Sequence, residues 1–111
     1  MWDRLIISNS FKKTIVYIEK FVINYPHSEL ILKQRIINNC YDILEAIYRA
    51  NVYQNIEYMK EIIVRISMLE FFLKVSLDKK LISFKKYEIV GIYLLDTVKM
   101  VNSWIKNEKS K

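Results

Sequence analysis

Lysine and arginine carry most of the chemistry this sequence can do. Residues 78–86 read Asp-Lys-Lys-Leu-Ile-Ser-Phe-Lys-Lys, so Lys79, Lys80, Lys85 and Lys86 crowd around one connection. Lys33 and Arg35 open an amphipathic segment, Arg49 lies near its end, and Arg65 and Lys74 belong to the next one. Long cations of this kind reach phosphate oxygens without reading bases, which makes binding of RNA or DNA salt-dependent. The overall charge points the same way, with 18 Lys and Arg against 12 Asp and Glu, a formal +6. Residues 78–111 hold eight basic against four acidic side chains, whereas 26–51 and 52–77 are each balanced. A basic excess gathered in one part of the chain is the electrostatic footprint of a polyanion binder. A solvated lysine-rich surface is the plainer account of the same charge. Glu61 with Arg65, and Glu70 with Lys74, have the i, i+4 spacing of ordinary helix-surface pairs.

The groups needed for catalysis do not assemble in the sequence. There is one histidine, His27, which follows the single proline, and one cysteine, Cys40. No Glu-x-x-His pair of a diiron bundle, no glycine-rich phosphate loop and no nucleophile–base pair can be read. Cys40 falls on the apolar side of a helix and has no second cysteine to pair with, so a buried, inert thiol in a reducing compartment is expected. The amino end lacks a signal-peptide core, and the longest uncharged apolar run near the carboxyl end, 89–95, is far short of a bilayer span. The expectation is a soluble, cytoplasmic binding protein rather than an enzyme, with no metal, no cofactor and no membrane partner.

What must position these cations is helical. One glycine and one proline in 111 residues leave long uninterrupted segments, and the apolar spacing is 3–4 throughout. In the last segment, Phe84, Tyr87, Gly91, Leu94, Val98, Val101 and Ile105 step 3-4-3-4-3-4 down one side, as a helix packed against near-parallel neighbours requires. Gly91 on that seam would let another helix approach closely. Ile89, Tyr93, Met100 and Trp104 form a second apolar line, and Tyr17 and Phe21 form another on the first helix. These second lines suggest a further surface to cover, most simply another subunit. The alternative is one wide apolar face within a single bundle.

In chain order, residues 1–9 read as a ragged lead-in with Trp2 and 5–7 able to dock. Ser8 or Ser10 then caps a first helix reaching about residue 24, with Phe11, Ile15, Ile18 and Val22 on its seam. Tyr25-Pro26-His27-Ser28 breaks the chain, and Ser28 is placed to cap a second helix over about 29–50. Its seam is Ile36, Cys40, Ile43 and Ile47. A third helix covers about 56–77 with Met59, Ile62, Ile66, Leu69 and Leu73 on one side and a second patch at Phe71, Phe72 and Val75. Ser83 caps the fourth helix, which ends near Lys106 with a frayed tail beyond. Short connections make neighbours antiparallel, so the sequence predicts an all-α, up-down-up-down antiparallel four-helix bundle forming a single domain over 1–111.

A resemblance sharpens this. The run 33–39 (Lys-Gln-Arg-Ile-Ile-Asn-Asn), then Leu44-Glu45-Ala46-Ile47, Ala50-Asn51, residues 69–73, Leu81-Ile82-Ser83 leading into Tyr87-Glu88, and Trp104 resemble the accessory variability determinant proteins of diversity-generating retroelements. So does the aromatic–proline break at Tyr25-Pro26. The resemblance spans about residues 11–106. Proteins encoded within intervening sequences of bacterial large ribosomal RNA genes are a related group, but their Asn-Ile-Ala-Glu-Gly stretch is missing here. The resemblance implies a bacterial or phage protein assembling as a homopentameric barrel of four-helix bundles. It would bind the element's reverse transcriptase and its template RNA or cDNA in support of mutagenic retrohoming, without catalysing anything. Pentamer contacts would fall on Tyr17, Phe21, Ile89, Tyr93, Met100 and Trp104. The sequence departs from the family at Asn102-Ser103 and Val98-Lys99, where glycines are common, and at Glu70, where arginine is. The second reading is a self-assembling structural or protein-interaction bundle with no nucleic-acid role.

Overall fold

In the computed structural model the described residues are 2–111, with residues 2–5 described by backbone alone. Four helices pack against one another: α1 (Trp2–Val22), α2 (Leu30–Tyr53), α3 (Ile56–Asp78) and α4 (Phe84–Lys109), with a 3-10 turn at His27–Glu29 and no strand among the described residues. α1 packs on α2 and α4, and α3 packs on the same two, while the backbones of diagonal helices stay apart. Contacts between neighbours run in opposite directions. Glu29 meets Lys79 and Asp42 meets Arg65, so the α3 number falls as the α2 number rises. Glu19 with Tyr41 and Lys12 with Tyr48 show the same for α1 and α2, and Tyr17 lies against Tyr93 of α4. The arrangement is compatible with an up-down-up-down four-helix bundle, 48 Å long and 22 by 19 Å across. Its axis is filled by Phe11, Ile18, Ile36, Ile43, Ile62, Ile66, Leu69 and Leu94, all at most 1% exposed.

The helix boundaries follow local chemistry, and several differ from the sequence reading. α1 has no lead-in of nine residues but is helical from Trp2. The reason is visible in its seam: Ile7 is buried in register with Phe11, Ile15, Ile18 and Val22, one turn earlier than expected. Ser8, expected as a cap, is fully buried inside the helix. The expected docking of Trp2 and Leu5 concerns side chains outside the described residues. Ser28 does not cap α2. Pro26 is extended at φ −64° and ψ 156°, and its carbonyl accepts the Glu29 N–H at 2.8 Å, which winds residues 27–29 into the 3-10 turn before α2 starts. α2 continues to Tyr53, and the reversal uses only Gln54, left-handed at φ 50°, and Asn55, whose side chain accepts the Glu57 N–H at 2.8 Å. Ser83 caps α4 as the sequence predicted, accepting the Lys86 N–H at 3.1 Å, and α4 runs on to Lys109.

The face of α4 is also rotated from expectation. Val90, Leu94, Thr97, Val101 and Ile105 are buried, while Phe84 is 64% exposed and Gly91 is open, with nothing within 4 Å of where a Cβ would stand. No other helix of the chain packs closely at Gly91. Thr97 explains the rotation: its hydroxyl donates to the Tyr93 carbonyl at 3.1 Å, so a residue that reads as polar is satisfied within its own helix and can be buried. Turning α4 this way brings its second apolar line against α1. Tyr93 sits edge-on to Tyr17 at 5.6 Å, and Met100 and Trp104 border a groove with Ile6 and Ile7. Phe21 is only 5% exposed, and Tyr17, Ile89, Met100 and Trp104 are half-buried. Tyr17, Met100 and Trp104 thus pack against the chain's own core, while Tyr93 stays 39% exposed.

Candidate polyanion-binding surface

The helix ends decide which cations stand together. α1 ends, α2 begins, α3 ends and α4 begins at the same end of the rod, so Lys33, Arg35, Lys74, Lys79, Lys80, Lys85 and Lys86 belong to that half of the molecule. Arg49 and Arg65 lie farther along, between α2 and α3. The basic carboxyl-terminal third of the sequence is divided by the fold. Lys79 to Lys86 stand at one end of α4 and Lys106, Lys109 and Lys111 at the other, with Lys86 and Lys106 about 30 Å apart at 1.5 Å per residue.

Ion pairs separate the nine candidate cations further. Arg49 Nη2 lies 3.1 Å from Glu45, and Arg65 lies 3.7 Å from Asp42 and 3.3 Å from Glu61. Both arginines line a groove with Asp42, Glu45, Glu57 and Glu61. Four carboxylates around two guanidiniums give a locally acidic surface that repels phosphate. Lys74 was expected to pair with Glu70 but instead binds Asp78 at 2.7 Å, which raises its pKa. A lysine in the last turns reaches toward the open carbonyls and negative end of the helix, where Asp78 stands. Lys79 holds Glu29 at 2.9 and 3.3 Å, tying the end of α3 to the 3-10 turn.

Lys33, Arg35, Lys80, Lys85 and Lys86 have no carboxylate within 4 Å among the described residues. Three of these five flank the α3–α4 connection. Its geometry is set by a helix-ending motif in which the Leu81 N–H reaches the Ser76 carbonyl and the Lys80 N–H reaches Leu77, both at 2.9 Å, with Lys80 left-handed at φ 62°. The Ser83 cap then restarts the chain as α4. Lys80, Lys85 and Lys86 thus project from a short, hydrogen-bonded corner. Arg35 borders a different groove, with Asn38, Asn39, Asp42, Met68 and Phe72.

Three features were not read from the sequence. Asn39 is 9% exposed, and its amide donates to the Arg65 carbonyl at 3.1 Å, pinning α2 to α3. Tyr41 donates to Glu19 at 2.9 Å, and Lys12 lies 5.5 Å from the Tyr48 ring, so surface tyrosines of α2 fasten α1. Phe84, assigned to the core by its spacing, stands exposed at the start of α4. Only the first carried a signal, an amide interrupting an apolar seam. Cys40 is 1% exposed, and burial, with Glu19 adding to it, pushes its thiol up to about 12. His27 is exposed in the 3-10 turn. No helix among the described residues is long and apolar enough to cross a membrane.

Compared with known proteins, the sequence matches no family model and no curated protein.

Proposed function

We propose that this protein is a non-catalytic binding adaptor that holds RNA or DNA phosphates at its α3–α4 corner. The observation that carries this reading is the grouping of Lys80, Lys85 and Lys86, without acidic partners among the described residues, in a chain of net charge +6. Charges held in ion pairs are already neutralised, whereas these three release counterions when they meet phosphate. Arg49 and Arg65, set among carboxylates, fall outside the proposed contact surface. Following the resemblance, the setting proposed is a diversity-generating retroelement, with a reverse transcriptase as protein partner and template RNA or cDNA as the nucleic acid.

The proposal includes self-association, a homopentamer by the resemblance, since several copies multiply a weak contact. Phe21 is buried in the chain's own core, whereas Tyr93 is 39% exposed and Tyr17, Ile89, Met100 and Trp104 are half-buried, so part of that expected contact surface stays open to another copy. On the solvent side of α3, Val64, Met68 and Phe71 are 56%, 46% and 58% exposed, and their 4-3 spacing continues to Val75. The same stripe favours the second reading, a structural or interaction bundle that assembles without nucleic acid.

Binding to a structured RNA over a range of salt, with the mass of the free protein from light scattering in the same buffer, separates the two. Affinity that falls steeply with salt, and is largely lost in the Lys80→Glu, Lys85→Glu, Lys86→Glu variant, is the expected result. An oligomer indifferent to RNA at low salt would leave only the structural reading.

A further inference from the structure

Resting on the nucleic-acid reading above, we infer that the α3–α4 corner takes single-stranded rather than duplex nucleic acid, with Phe84 as a stacking platform for a base. At 64% exposure, Phe84 is the most exposed aromatic side chain among the described residues. Its spacing would have placed it on the buried seam of α4, yet the helix turns it outward. It is the first residue of α4, directly after the Ser83 cap, so the ring is carried by a hydrogen-bonded helix start rather than a loose loop. The Tyr87 ring lies behind it, with centroids 6.4 Å apart. Lys85 and Lys86 follow it in the chain and Lys80 precedes it across the corner, all three without carboxylate partners among the described residues. An exposed ring on a corner that also carries cations without carboxylate partners among the described residues is the composition of a single-strand site, in which cations track the backbone and an aromatic face receives a base. A duplex keeps its base faces stacked inside and offers only edges and phosphates, so the ring has no target there. Because every base has a π-face, this contact carries little sequence preference.

The test measures binding of the full-length chain to a labelled single-stranded RNA of mixed sequence and to the same strand annealed to its complement, each over a range of salt. The wild type is expected to prefer the single strand. Phe84→Ala should weaken single-strand binding about five- to hundredfold while leaving duplex binding and the salt slope unchanged. Phe84→Trp should keep the affinity, and its added emission should be quenched by the single strand. Lys80→Glu with Lys85→Glu and Lys86→Glu should weaken both ligands. Single-strand affinity unchanged in Phe84→Ala, with both ligands still lost in the lysine variant, would overturn the stacking role and leave the phosphate-binding reading standing. Wild-type protein that binds neither ligand at low salt would overturn both. Circular dichroism of each variant checks that the helices stay intact, as expected for substitutions at exposed positions.

Discussion

Lys80 occupies a backbone position that glycine usually fills. At φ 62° its Cβ crowds the following carbonyl, and the helix-ending motif it completes is most often built on glycine. Lys80→Gly should therefore stabilise the fold by up to about 1 kcal/mol in urea unfolding while weakening RNA binding. A variant that is less stable would show that the lysine stem contributes packing that outweighs the strain. Cys40 gives a second residue-level expectation. Its thiol, pushed up to about 12, should resist alkylation at neutral pH until the protein unfolds. The sign with pH follows from the raised pKa. The stability tied to this group is fully present below the ordinary thiol value of 9.0 and is lost as pH climbs toward about 12. Labelling at the same rate in native buffer and in denaturant would contradict its burial. The burial of Cys40 was legible because it falls in the Ile36, Cys40, Ile43, Ile47 spacing. The partner of Lys74 was not, since the choice between Glu70 and Asp78 depends on where α3 ends.

Among the elements, α4 shows how far periodicity reaches. Its helical character, its cap at Ser83 and the burial of Leu94, Val101 and Ile105 were all readable from spacing. Its rotation was not, because two apolar lines compete and the decision falls to Thr97, whose internal hydrogen bond cannot be seen in a hydropathy pattern. The rotation has a measurable consequence at Gly91. Nothing stands within 4 Å of an added Cβ, so Gly91→Ala should raise stability by about 1 kcal/mol through helix propensity. A helix packed closely there would make the same change destabilising. By contrast Ile66, fully buried on α3, should cost about 2–5 kcal/mol when cut to alanine. The start of α1 escaped the sequence reading for a related reason. Serine reads as a boundary, whereas Ser8 is enclosed within the helix beside the buried Ile7.

For the whole molecule, the basic character of the sequence and the shape of the rod are separate facts. A linear count put the excess in residues 78–111, but α4 carries half of it to the far end, leaving the corner at Lys80, Lys85 and Lys86 as the local concentration. The self-association proposed above would draw on a surface away from the lysine corner. Met68→Glu with Phe71→Glu places charges on the open stripe of α3 and should lower the mass seen by light scattering without unfolding the chain. An unchanged oligomer would move the contact to another face. The architecture was the most legible level, since four long segments with short connections admit few arrangements. The surface was the least, because ion pairing between helices depends on register, which spacing within one helix does not set.

α1 and α4 run antiparallel as neighbours, and Ile6 and Ile7 border the same groove as Trp104 and Asn107. The amino end of α1 and the carboxyl end of α4 therefore leave from one end of the rod, and the lysine corner stands at the other. A tag, fluorophore or sensor-chip tether added at either terminus would point the lysine corner away from its support. Joining the two ends with a short linker and reopening the chain between α2 and α3 would give a permuted protein with that corner undisturbed.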